Sequence, residues 1–230
     1  MRSGGSGTAD GVRPPAPGAR PWVPETLTLD SVARALEECR GCDLWEQATQ
    51  AVPGAGAADA DLVLLGEQPG DQEDRAGEPF VGPAGQLLVR ALAEAGIDPA
   101  RTFRTNAVHH FRWSGTRGKQ RIHQSPSTWQ VAACGPWMVA ELNLVRPVGL
   151  VVLGATAGKA VYGASFRVGA TRGSRQEFPD LLPGGATPAH RPSWVLPTVH
   201  PSAVLRSRDR DADYAAFVQD LLVAAGLLAA

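Results

Sequence analysis

Several common ingredients are scarce in this 230-residue chain, and each scarcity excludes something. No apolar run is long enough to span a membrane and no secretory-type leader is present, so the expected compartment is cytoplasmic, without a membrane partner. Cysteines number three, Cys39, Cys42 and Cys134. An odd count with one C-x-x-C, in a compartment where disulfides are rare, points to metal ligation or redox chemistry. Net charge is -1, so no global basic field announces nucleic acid. There is no internal repeat. There is also no Walker-type phosphate loop, which leaves a nucleotide hydrolase without its usual machinery.

Acidic residues are also missing locally. None lies between Asp98 and Glu141, a stretch carrying Arg101, Arg104, Arg112, Arg117, Lys119 and Arg121. Residues 181–208 are likewise acid-free and carry Arg191, Arg206 and Arg208. Facing one way, the two stretches would form a phosphate-binding surface on a near-neutral protein. Facing apart, they are two solvated loops.

What the chain does have is an alternation of apolar runs and helical patterns. Residues 1–26, rich in Gly, Pro, Ala and Arg, read as a disordered tail, with order beginning near Leu27. Thr28 to Ser31 offer caps for a first helix ending at Cys39. Apolar runs at 62–66, 102–107, 148–154 and 194–199 read as strands. Helical patterns at 83–95, 127–144, 155–162 and 210–228 separate or follow them. The expected fold is α/β, a three-layer α/β/α sandwich around a four-stranded parallel sheet, over residues 27–230. Ligands of such sheets bind beyond the carboxyl ends of the strands, and the polar motifs sit there.

After the first run comes Gly66-Glu67-Gln68-Pro69-Gly70, then Asp71 and, further on, Phe80. This constrained loop suits a flat heterocycle stacked on Phe80, with Glu67 and Gln68 near the reacting bond; it also reads as a capped strand-to-helix turn. Asn106 ends the second run, and its amide can pair with the edge of uracil but not with cytosine, or it can satisfy local backbone. His200-Pro201-Ser202 follows the fourth run, where a histidine can donate to a developing anion. A Gly- and Arg-rich loop at 111–124 contains Lys119-Gln120-Arg121-Ile122-His123. Its cations can contact phosphates, and a neutral His123 oriented by Glu67 is a competent nucleophile. Three thiols with one imidazole of the His109-His110 pair could hold zinc or an iron–sulfur cluster.

From about Leu27 to the C-terminus, these motifs resemble the uracil-DNA glycosylase superfamily. Its family-4 members carry Gly-Glu-Ala-Pro-Gly, an Asn-bearing strand end, His-Pro-Ser and a [4Fe-4S] cluster. Gln68 in place of the alanine, and the segment ending in Ile122-His123, look like the UdgX branch, with Gln120 where that branch has arginine. The resemblance implies excision of uracil from DNA, preferentially single-stranded, by a monomer. Glu67, Gln68, His123 and His200 would be catalytic, with His123 bonding to the deoxyribose and Gln68 displacing the water that would otherwise attack. Gly66, Asp71, Phe80, Asn106 and Ser202 would bind substrate. Lys119, Arg121 and Arg206 would meet phosphates. Cys39, Cys42, His110 and Cys134 would hold the cluster, with a swap of His109 for His110 left open. The alternatives are a multiple-turnover family-4 enzyme and a non-catalytic nucleic-acid-binding module with zinc.

Overall fold

The computed structural model describes residues 17–185 and 187–230. In chain order the strands are β1 (Ala55–Gly56), β2 (Leu62–Gly66), β3 (Thr102–Asn106), β4 (Trp113–Arg117), β5 (Gln120–His123), β6 (Gly149–Leu153) and β7 (Trp194–Thr198). The helices are α1 (Leu29–Glu37), α2 (Asp71–Ala76), α3 (Pro83–Glu94), α4 (Thr128–Val145), α5 (Gly154–Tyr162), α6 (Val168–Thr171), α7 (Pro201–Leu205) and α8 (Arg210–Leu228).

The main sheet has the order β1-β3-β2-β6-β7. Its last four strands are mutually parallel, as expected, while the two-residue β1 runs antiparallel on the edge beside β3 and makes the sheet five-stranded. Every residue of β2, β6 and β7 is buried, the pattern of strands covered on both faces. Alternate side chains feed two separate cores. Leu62, Leu64, Val151, Leu153, Trp194 and Leu196 pack under α3, α7 and α8. Val63, Leu65, Phe103, Leu150, Val152 and Val195 pack under α4 and α5. The result is the three-layer α/β/α arrangement.

A third core joins α1, the Cys39–Cys42 region and the outer face of α4 through Leu36, Leu44, Val131 and Trp137. Pressed between two cores, α4 buries side chains all around its circumference. Residues 1–16 of the expected tail lie outside the described residues, but residues 17–26 depart from that reading. Ala19 is buried and its N–H donates to Ala133 O on α4, while Gly18 N–H donates to Gly41 O. Among the described residues, no helix is long and apolar enough to cross a membrane.

The loop expected at 111–124 is instead an antiparallel hairpin of β4 and β5, pairing Trp113 with His123 and Arg117 with Gln120. Of the helices too short to show a helical period, α2 begins directly after the first polar motif and α7 begins within the last, at Pro201. Because β2, β3, β6 and β7 are parallel, Gly66, Asn106, Leu153 and Thr198 end at one edge. The hairpin, α2, α5 and α7 gather there.

Candidate active site

Gly66 and Asn106 are register partners at the ends of β2 and β3. A β-carbon on Gly66 would lie 2.4 Å from Asn106 Oδ1 and 2.7 Å from Phe80 Cζ, so the glycine leaves these side chains a shared niche. Phe80 is buried and adopts φ 60, an uncommon conformation for a side chain of its size. Its carbonyl would be 1.7 Å from a β-carbon on Gly85, so only glycine lets the first turn of α3 close over it. Glu73 secures the loop's two ends, accepting from Gly70 N–H at 3.1 Å and Gly82 N–H at 2.8 Å. The Phe80 ring stacks toward His200 with centroids 6.5 Å apart.

His200 caps α7. Its Nδ1 accepts the Ser202 N–H at 3.1 Å, so the neutral ring carries its proton on Nε2. The Ser202 hydroxyl lies 2.8 Å from the same nitrogen. Ser202, expected to bind substrate, is therefore committed to orienting His200. Burial pushes the His200 imidazole down to about 4, assisted by His123 and Arg206 and opposed by Glu67, which keeps it a neutral donor near pH 7.

Glu67 follows Gly66. Its Oε2 accepts from Thr156 Oγ1 at 2.6 Å. Its Oε1 is buried, has no hydrogen-bond partner among the described residues, and lies 3.6 Å from His123 Nε2. Burial holds His123 below the ordinary imidazole range, with Glu67 pulling upward and Arg206 downward. The ring is half exposed and sits 6.0 Å from Phe111 by centroids.

Gln68, Arg121 and Asp71 make their contacts within the protein. Gln68 is buried and spends its amide on the base of the hairpin. Nε2 donates to Arg112 O and Gln124 O, and Oε1 accepts the Arg112 N–H. It thus fastens the base of the hairpin that carries His123. Arg121 is not a surface cation. Its guanidinium is bonded to Asp71, lies 2.7 Å from buried Asp74, meets Thr49 Oγ1 at 3.1 Å and covers the rings of Phe111 and Trp113. Asp71, expected at the substrate, is its partner. Burial alone would raise the Asp71 carboxyl, but hydrogen bonds from Arg121 and Arg75 hold it below the usual range. Lys119 at the hairpin turn and Arg206 at the end of α7 do stay exposed.

Away from this edge, Cys39, Cys42, Cys134 and His110 line one small cavity with Leu36, Ala133 and Trp137. Burial pushes the Cys42 thiol up to about 11 and raises Cys134 strongly, with Cys39 adding to both and Cys42 adding to Cys134. It also pushes His110 down to about 4, leaving a neutral donor. Trp137 Nε1–H donates to Cys39 Sγ at 3.4 Å. His109 does not line the cavity. Its Nδ1 contacts Val52 O at 2.9 Å and its Nε2 faces Glu141 of α4. Among the described residues, no group of three such side chains converges as closely as one bound metal ion requires. The four donors ring a cavity, and that donor set suits a multi-iron group.

Thr156, Asp74 and the Phe111–Trp113 aromatic pair were not foreseen. The only sequence signal for Thr156 is its place in the first turn of a helix that follows a strand end.

A mostly parallel sheet with a buried phenylalanine, a neutral histidine donor and a carboxylate–imidazole pair gathered at its carboxyl edge has the layout of an enzyme site. The uracil DNA glycosylase superfamily model matches residues 53–222, and the chain belongs to that superfamily. It is similar to the type-4 uracil-DNA glycosylase of Thermotoga maritima, with 33% identity over 184 residues, covering 80% of this chain and 86% of the relative. It is also similar to the type-4 uracil-DNA glycosylase of Sulfurisphaera tokodaii, with 30% identity over 185 residues and 77% of each chain covered.

Proposed function

We propose that this protein excises uracil from DNA, preferentially single-stranded, and remains bonded to the abasic sugar through His123, as the UdgX-like motifs imply. An unpaired uracil enters without the few kcal/mol needed to extrude it from a duplex. Phe80 stacks on the ring and the Asn106 amide reads its edge. As the C1′–N1 bond breaks, the electron pair leaves on uracil, and His200 Nε2–H faces the charge gathering on O2. The lone-pair nitrogen of His123 forms the new bond to C1′. The resulting imidazolium gives up its remaining proton, with Glu67 the nearest acceptor, and neutral imidazole is restored. Lys119 and Arg206 meet phosphates. Cys39, Cys42, Cys134 and His110 would hold a [4Fe-4S] cluster, whose contribution there would be to tie these parts of the fold together.

The observation that carries this reading is the 3.6 Å approach of His123 to Glu67, on a hairpin fastened by Gln68 and Arg121. The test is a denaturing gel after incubation with a uracil-containing single-stranded oligonucleotide. We expect a shifted protein–DNA band that saturates at one per protein and is lost in His123→Ala. Uracil released in excess of protein, with no such band, would mean ordinary multiple turnover. Binding without any release would mean a non-catalytic module.

A further inference from the structure

We infer that Thr156 is a positioning residue of this site: its hydroxyl occupies one oxygen of the Glu67 carboxylate and so turns the other toward His123. The inference rests on the uracil-excision reading above.

A threonine inside a helix ordinarily returns its hydroxyl to a carbonyl of the preceding turn or leaves it in water. Thr156, in the first turn of α5, instead donates at 2.6 Å to a residue 89 positions away in sequence. The helix is brought close by Gly154, whose φ is +90 and whose added β-carbon would fall 2.9 Å from His200 Cβ. A side chain there would push α5 off the end of β7 and carry Thr156 away from Glu67. Of the two carboxylate oxygens, Oε2 is thereby committed. Oε1 is left buried, with no hydrogen-bond partner among the described residues, facing His123 Nε2 at 3.6 Å. A carboxylate able to rotate could satisfy Oε1 elsewhere. The Thr156 hydrogen bond withholds that freedom, so the oxygen waits for a partner that appears only during reaction.

The experiment compares wild type with Thr156→Val, Thr156→Ser, Thr156→Ala, Glu67→Gln and the double variant Thr156→Val/Glu67→Gln. Uracil release from single-stranded DNA is followed with protein in excess. Valine keeps the shape and removes the donor. The limiting rate is expected to fall about tenfold or more, while half-saturation with DNA changes by less than about twofold. Serine restores the rate to within about threefold of wild type, and valine costs nothing further in the Glu67→Gln background. A wild-type rate in Thr156→Val overturns the inference, as does an equal loss in the Glu67→Gln background or a serine variant as slow as valine. Should the valine variant not fold, alanine takes its place under the same criteria. Uracil release by wild type without a protein–DNA bond sinks the covalent reading alone and leaves this comparison intact. No release by wild type sinks both.

Discussion

His123 and His200 stand a short distance apart, and both are held below the ordinary imidazole range, yet the consequences differ. A neutral His200 with its proton on Nε2 can only donate toward a ligand; a neutral His123 keeps a lone pair. For His123 the lowering favours the neutral, nucleophilic form at neutral pH, and that form is lost on the acid side. Protein–DNA bond formation should therefore rise through a step below the ordinary imidazole value of about 6.5 and stay flat from there toward pH 8. Arg206→Gln removes a charge that disfavours the imidazolium, so it should move the step upward. Single-turnover rates between pH 4 and 8 check this, and a rate still climbing above pH 7 in the wild type would contradict it.

At the scale of elements, the β4–β5 hairpin is fastened at two points. Gln68 closes its base, and Arg121 ties β5 to α2 through Asp71 and Asp74. Loss of the Gln68 amide exposes the hairpin to local opening while sparing both sheet cores. Gln68→Ala should therefore speed amide hydrogen exchange in β4 and β5 and slow bonding to DNA about tenfold, lowering the melting temperature by only about 2–4 °C per kcal/mol lost. Unchanged exchange in the hairpin would refute the clamp. The parallel sheet was legible because strands covered on both faces must be apolar throughout, as Leu62-Val63-Leu64-Leu65 is. The hairpin was not, because β4 and β5 are almost wholly exposed and show no apolar alternation. Glu67, Asn106 and His200 could be read from strand ends. The pairing of Arg121 was not legible because sequence shows a cation but not a pair of carboxylates some 50 residues away. Thr156 carried only its place in the first turn of a helix that follows a strand end.

Across the whole molecule, the cavity ringed by Cys39, Cys42, His110 and Cys134 lies within the third core, where the 17–26 segment, the turn after α1, the residues following β3 and α4 meet. A group binding all four donors would staple these parts together and be linked to their folding. Purified protein is expected to be brown. Bleaching with an iron chelator should lower the melting temperature and open the 17–26 segment to protease before the sheet unfolds. A colourless, zinc-bearing preparation of unchanged stability would contradict the assignment. The shared direction of β2, β3, β6 and β7 also has a practical use. Glu67, Phe80, Asn106, His123 and His200 lie beyond their carboxyl ends, whereas Asp61 and Val148 sit just before β2 and β6 and are exposed. A fluorophore or surface tether fixed there stands about 16 Å behind the reactive edge, one five-residue strand away. Such a molecule could be anchored to a bead or chip with that edge turned outward.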